Sequence, residues 1–269
     1  MTNASTHTRF LRETVASAHE TRALAAAFAP GAERAHYLAV AAFEAEVEKT
    51  AETVSEPMLG QIRLAWWREA LGEATGVGEP RRHPVVEALA ELHRAGRLDA
   101  EAAAALIDAR EHELEPGAVS LPDHARILGR SWAALAARAL GGDTDKSAEN
   151  LGVAALWARE LTRAGARAAH GVCLVADDVL EAAGASRDGV VNGRDGKAFA
   201  SVIEHYARGP AHEALAAIGG APASDALGPL LAEAAAGRLA LRRLADGRPT
   251  RAPMATRLAM VRAVARGRI

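Results

Sequence analysis

Two stretches of the chain place like charges at helical spacing. Glu48 and Glu52 stand four residues apart, and Arg159, Arg163 and Arg167 follow one another at the same interval. On an α-helix this spacing stacks side chains on one face, one turn above the next. A carboxylate pair so arranged can hold Mg2+ against phosphate oxygens. A guanidinium stripe cannot ligate a metal, because it stays protonated and has no acceptor. It can instead grip phosphate or carboxylate oxygens through forked donors.

Other chemistry-bearing residues are less distinctive. Asp177-Asp178 resembles a metal pair in isolation but also suits the first turn of a helix, where acids are favoured. Asp108, Glu111, His112 and Glu113 form a polar cluster, with Asp108 and His112 four apart; without a third ligand nearby a solvated face is the simpler reading. The ten histidines show no metalloprotease spacing, and Gly141-Gly142 and Gly219-Gly220 lack the flanks of a phosphate loop. Cys173 is the sole cysteine, which excludes an internal disulfide and a multi-thiolate metal site. Nucleic-acid motifs are absent, so no nucleic acid is expected as a partner.

The elements that must carry these residues read as helices. Ala, Leu, Glu and Arg abound, and no period-two run of β-branched or aromatic residues stands out. Pro, Gly and capping residues divide the chain. Pro30-Gly31 ends a first segment, and Val54-Ser55 breaks a second. Further helices are expected over 84–95, from an Asp99 cap to about 115 where Pro116-Gly117 stops it, and over 121–140, 146–170, 177–183, 198–218, 224–245 and 254–265. Leu59, Ile62, Trp66 and Ala70 form one apolar stripe; Ile127, Leu128, Trp132, Leu135 and Ala139 form another. Trp66 and Trp67 point at different angles from one helix and are expected to line a core or cavity. Short connections favour one domain over 1–269.

Bulk properties fit a globular protein: 269 residues, 49% hydrophobic, 25% charged and a net charge of −2. No apolar run approaches the ~20 residues that cross a bilayer. The first residues lack the apolar core of a secretory signal, and a cytoplasmic location is expected. Charge is segregated. Residues 237–269 hold nine Arg and one acid, net +8, while the rest carries −10. This basic C-terminal segment is either a solvated pair of helices or a surface for an anionic partner such as lipid headgroups.

The stretches AVAAFEAEVEKTAETVSEPMLGQIRLAWWREAL, around Phe43, and LGVAALWARELTRAGARAAHGVCLVADDVLEAAG, after Gly152, together resemble the squalene/phytoene synthase family. The resemblance implies an all-α, isoprenoid synthase-type bundle around a central cavity. Such enzymes join prenyl diphosphates head to head with Mg2+ held by two aspartate motifs. The residues matching those motifs are Glu48, Lys49 and Glu52 in the first and Arg163 and Arg167 in the second, so the metal-binding pattern is broken. Phe43, Glu46, Val54-Ser55-Glu56, Arg63 and Trp66-Trp67 are similar to a branch of the family lacking intact motifs, the assembly factor-like proteins of respiratory complex I.

That branch implies a non-catalytic protein without metal or cofactor, working with complex I subunits or assembly intermediates at the inner membrane face. The alternatives are a prenyl-diphosphate transferase, the one case in which Mg2+ is expected, and a metal-independent prenyl-diphosphate or lipid-binding protein. In the last, Arg159, Arg163, Arg167 and Arg63 would be anion donors, and Glu46, Trp66 and Trp67 would line the cavity. A further expectation is that Glu48 and Glu52 meet Arg163 and Arg167 directly and take the metal's place.

Overall fold

The computed structural model describes residues 2–52, 57–76, 79–114, 120–219 and 224–269. The turn Val54-Ser55-Glu56 and the stop at Pro116-Gly117 lie outside the described residues. Fourteen α-helices are present among the described residues, and no strand. In order they are α1 (Thr2–Ala18), α2 (Glu20–Ala25), α3 (Glu33–Glu52), α4 (Pro57–Thr75), α5 (Pro84–Arg94), α6 (Ala100–Glu111), α7 (Leu121–Ala139), α8 (Lys146–Ala168), α9 (Asp177–Ala182), α10 (Arg187–Val191), α11 (Gly196–Arg208), α12 (Pro210–Ala216), α13 (Gly228–Ala245) and α14 (Pro253–Arg266).

Local chemistry sets most boundaries. The Asp99 carboxylate accepts from the Ala102 N–H at 2.9 Å, and Asp145 accepts from Ala148 at 2.8 Å, capping α6 and α8. The segment expected as one helix over 198–218 is two. Gly209 leaves helical geometry, and Pro210 opens α12 at a position that needs no N–H donor. Asp177 and Asp178 occupy the first turn of α9.

Helices α3, α7, α8 and α13 form the interior. On α3 the run from Tyr37 to Ala45 is buried throughout, which exceeds what one stripe of an amphipathic helix would bury. Helices α7 and α8 cross through facing glycines: a Cβ on Gly152 would lie 2.3 Å from the Gly129 carbonyl oxygen. Gly237 gives α13 a similar approach to Ala158 of α8. These crossings draw α8 inward, so that its polar side chains face α3 across a short gap.

The apolar stripe expected on α4 is corrected. Leu59, Ile62 and Trp66 are exposed, at 45%, 59% and 36%. The helix instead buries Leu64, Trp67, Ala70, Leu71 and Ala74. Both sets recur at spacings of three and four, so periodicity alone could not say which side meets the core. The stripe on α7 is packed as expected, with Leu128, Trp132, Leu135 and Ala139 buried.

Candidate functional site

At the centre of the bundle five carboxylates meet five guanidiniums. The acids are Glu44 and Glu48 on α3, Glu113 just after α6, Glu160 on α8 and Glu233 on α13; the bases are Arg22 on α2, Arg110 on α6 and Arg159, Arg163 and Arg167 on α8. Arg110 is fully buried and joins three acids. It donates to Glu44 Oε1 at 2.8 Å and Glu48 Oε1 at 3.0 Å through Nη2, and to Glu113 Oε1 at 2.5 Å through Nη1. Arg22 bridges Glu44 Oε2, at 2.6 Å, and Glu233 Oε2, at 3.1 Å. Its guanidinium also lies 3.5 Å from the centre of the Trp132 ring, a cation–π contact. Tyr37 donates its hydroxyl to Glu233.

The stripe on α8 divides its contacts. Arg159 reaches Glu44 Oε1 at 2.9 Å and Glu48 Oε1 at 3.4 Å. Arg163 pairs with Glu48 Oε2 at 3.0 Å, and Arg167 clamps Glu113 and Glu160. Two imidazoles complete the cluster. His19 Nε2 stands 3.0 Å from both Glu44 Oε2 and Glu48 Oε2, and His124 Nε2 is 2.8 Å from Glu113 Oε1.

Burial alone would raise these carboxyl groups, since it disfavours charge. The guanidiniums outweigh it. Arg159 and Arg22 hold Glu44 well below the usual carboxylate range, and Arg159 and Arg110 do the same for Glu48. Glu113 is lowered by Arg110 and Arg167, and Glu160 by Arg167 and Arg159. Glu44, Glu48, Glu113 and Glu160 are therefore ionised at neutral pH, each beside a guanidinium. These four contribute stability above about pH 4.3, the unfolded value of Glu. That contribution is lost as pH falls through their lower folded values.

His19, Glu44 and Glu48 present atoms close enough together to share a metal ion. The donor set nevertheless does not fit Mg2+. Both oxygens of Glu44 and both of Glu48 already lie beside a guanidinium or an imidazole. A divalent cation there would sit against Arg22, Arg110, Arg159 and Arg163, whose charge repels it.

The residues expected from sequence are only partly gathered here. Glu48 meets Arg163, as expected, and Arg159 as well, whereas Arg167 turns to Glu113 and Glu160. The inward partner of Glu48 is Glu44, one turn earlier; Glu52 ends α3, with its side chain outside the described residues. The expected cavity residues Glu46, Arg63, Trp66 and Trp67 are not in the network. Glu46 acts on His83, Arg63 is exposed, Trp67 packs edge-on against Phe43, and Trp66 lies under Arg81. The rotation of α4 described above turns Arg63 and Trp66 outward and Trp67 into the apolar core, while Glu46 lies on a different side of α3 from Glu44 and Glu48. The cluster expected to be solvated near Asp108 is also divided: Asp108 and Glu111 pair with Arg68 on the surface, while Glu113 is buried.

A cavity of about 180 Å³ borders the network, lined by His19, Arg22, Arg159, Arg163 and Glu233 among others. Arg163 stands at this rim, its side chain 31% exposed. Truncating it by Arg163→Ala is therefore expected to cost about 1 kcal/mol or less, as partly solvated pairs do. A larger loss in urea unfolding would mean that the rim is held as tightly as the interior.

The squalene/phytoene synthase profile matches residues 15–257. A squalene synthase, HpnC from Alicyclobacillus acidocaldarius, superposes with a TM-score of 0.63 at 19% identity, covering 97% of this chain and 91% of that one. A dehydrosqualene synthase in complex with ligand gives 0.75 at 13% identity, covering 97% and 96%. No curated protein sequence matches the chain.

Proposed function

The chain belongs to the squalene/phytoene synthase family, and from that premise we propose that it is a non-catalytic member, assisting assembly of membrane-bound respiratory complex I. It carries the all-α terpenoid synthase fold. The observation that carries the non-catalytic reading is the charge of the interior. Prenyl diphosphate ionisation releases a polyanion, which the family neutralises with Mg2+ between acidic helices. Here α8 brings Arg159 and Arg163 to the acids of α3, and Arg167 to Glu113 and Glu160, so that each carboxylate meets a guanidinium.

Space points the same way. Small-molecule sites usually enclose ~300–1,000 Å³, whereas the cavity beside the network holds about 180 Å³. A larger apolar cavity of about 590 Å³, lined by Leu161, Phe199 and Ile203, lies elsewhere along α8 and away from the paired charges of α3. The assembly role itself rests on the likeness of Phe43, Glu46, Arg63 and Trp66-Trp67 to the complex I branch. An apolar face left open on α4, with Met58 and Ile62 more than half exposed, is consistent with a protein partner. No described helix is long and apolar enough to cross a membrane, so work at the inner membrane face would be peripheral.

The test has two readouts. Purified protein with farnesyl diphosphate and Mg2+ is expected to release no diphosphate, and calorimetric titration should give the same result with and without the ion. Deleting the gene is expected to reduce assembled complex I without loss of a terpenoid. Diphosphate release or Mg2+-dependent binding would establish the transferase alternative; normal complex I in the deletion strain would remove the assembly role.

A further inference from the structure

Helix α14 is apolar on two opposite sides. Met260 and Ala263 are buried, with Met260 packed into a cluster with Ala232 and Ala236 of α13. That packing explains one side only. Met254, Leu258, Val261 and Ala265 follow at spacings of four, three and four and run along the other. They face solvent: Met254 is 76% exposed, Leu258 48% and Val261 53%. Exposed Arg257 stands on one flank of this outer stripe, and exposed Arg262 and Arg266 stand on the other. No acid occurs from 247 to 269.

We propose that α14 docks this protein on an anionic lipid surface, its outer stripe entering the boundary between headgroups and acyl chains. An interfacial helix needs an apolar face with basic residues beside it, at the depth of the phosphates. Arg257, Arg262 and Arg266 occupy that position, and guanidiniums bind phosphate oxygens as forked donors. At 14 residues and ~1.5 Å per residue the helix spans less than the ~30 Å of a bilayer core, so it lies flat.

Charge orients the contact. Residues 237–269 carry +8 and the remainder −10. A negative membrane surface thus attracts this end and repels the body. A protein partner fits less well, because a stable interface covers ~800 Å² per side. The outer stripe of α14 is one narrow line of four side chains. Membrane docking through α14 is also independent of what the buried network does.

Vesicle flotation tests it with the full chain. Vesicles of phosphatidylcholine mixed with phosphatidylglycerol are expected to carry the protein upward, and vesicles of phosphatidylcholine alone are not. The triple variant Met254→Ser, Leu258→Ser, Val261→Ser changes only exposed positions and should keep the wild-type circular dichroism while losing at least ~10-fold in partitioning. Arg257→Gln with Arg262→Gln and Arg266→Gln should lose a similar amount, and raised salt should weaken the wild type. Absence of wild-type binding to the mixed vesicles would overturn docking. Undiminished binding by the Ser variant would overturn the role of the stripe and leave only diffuse attraction. Self-association of the wild type in gel filtration, abolished in the Ser variant, would instead assign the stripe to a second copy.

Discussion

Replacing Arg110 by Met is expected to cost about 3–5 kcal/mol, the usual penalty for removing one partner of a buried ion pair. Arg110 is the member with most to lose. Its side chain is wholly buried, and it joins both acids of α3 to Glu113. Met would fill much of the volume but leave Glu44, Glu48 and Glu113 short of a cation in a site closed to water. Against a typical stability of ~5–15 kcal/mol this is a large fraction, worth roughly 10 °C in unfolding temperature.

The pH dependence separates an electrostatic loss from a packing loss. With Arg110 removed, Glu48 and Glu113 lose one of the cations that hold them low, while Arg159 and Arg167 remain, and their folded pKa values move up. The variant's deficit should therefore narrow as pH falls through these values, because the wild type, with its lower-lying carboxylates, loses more stability over the same range. Adding Glu44→Gln to Arg110→Met should restore part of the loss at neutral pH by removing one uncompensated charge. Equal losses in acid and at pH 7.5, with no gain from the second change, would mean that Arg110 matters only for packing.

The helices were legible because their signals are local. Asp99, Asp145 and Pro84 set boundaries within one turn of themselves, whatever lies elsewhere in the fold; Pro210 is as local a signal, yet the expected helix over 198–218 ran through it. The network was half legible for the opposite reason. Glu48 and the Arg159, Arg163, Arg167 stripe follow from spacing, and the family resemblance placed the two helices opposite each other. Which turn of α3 faces inward depends on the α7–α8 crossing at Gly129 and Gly152 and on how α3 rests against α7, none of which spacing reveals. Hence Glu44 was passed over beside Glu48. Arg22, Arg110 and Glu233 lie far apart in sequence; Glu233 stands among apolar neighbours, whereas Arg22 follows Glu20 and Thr21 and Arg110 sits between Asp108 and Glu111, so none shows its partner locally. Their pairing is a property of the assembled bundle. Glu113 sits three residues from Arg110 within a cluster that looks solvated, and only the turn after α6 carries it inward.

If charge on α8 determines whether this interior takes a metal, reversing that charge should create the dependence. Arg159 and Arg163 stand four apart, and both contact Glu48. Arg159→Asp with Arg163→Asp would place a carboxylate pair on α8 facing the Glu44–Glu48 pair on α3, the geometry in which two helices share Mg2+. Without the ion the variant should be strongly destabilised at neutral pH, since four acids would share Arg22 and Arg110. Mg2+ at ~100 times its dissociation constant should return about 2.7 kcal/mol. The wild type is expected to unfold at the same temperature with and without Mg2+, because its carboxylate oxygens already face cations. Mn2+ offers an independent readout: water-proton relaxation should report binding to the variant and not to the wild type. A wild type stabilised by Mg2+ would mean that the cation can displace a guanidinium, and the interior would then have to be read as a metal site guarded by arginines. A folded variant that ignores both ions would show that geometry, rather than charge, decides whether this interior takes a metal.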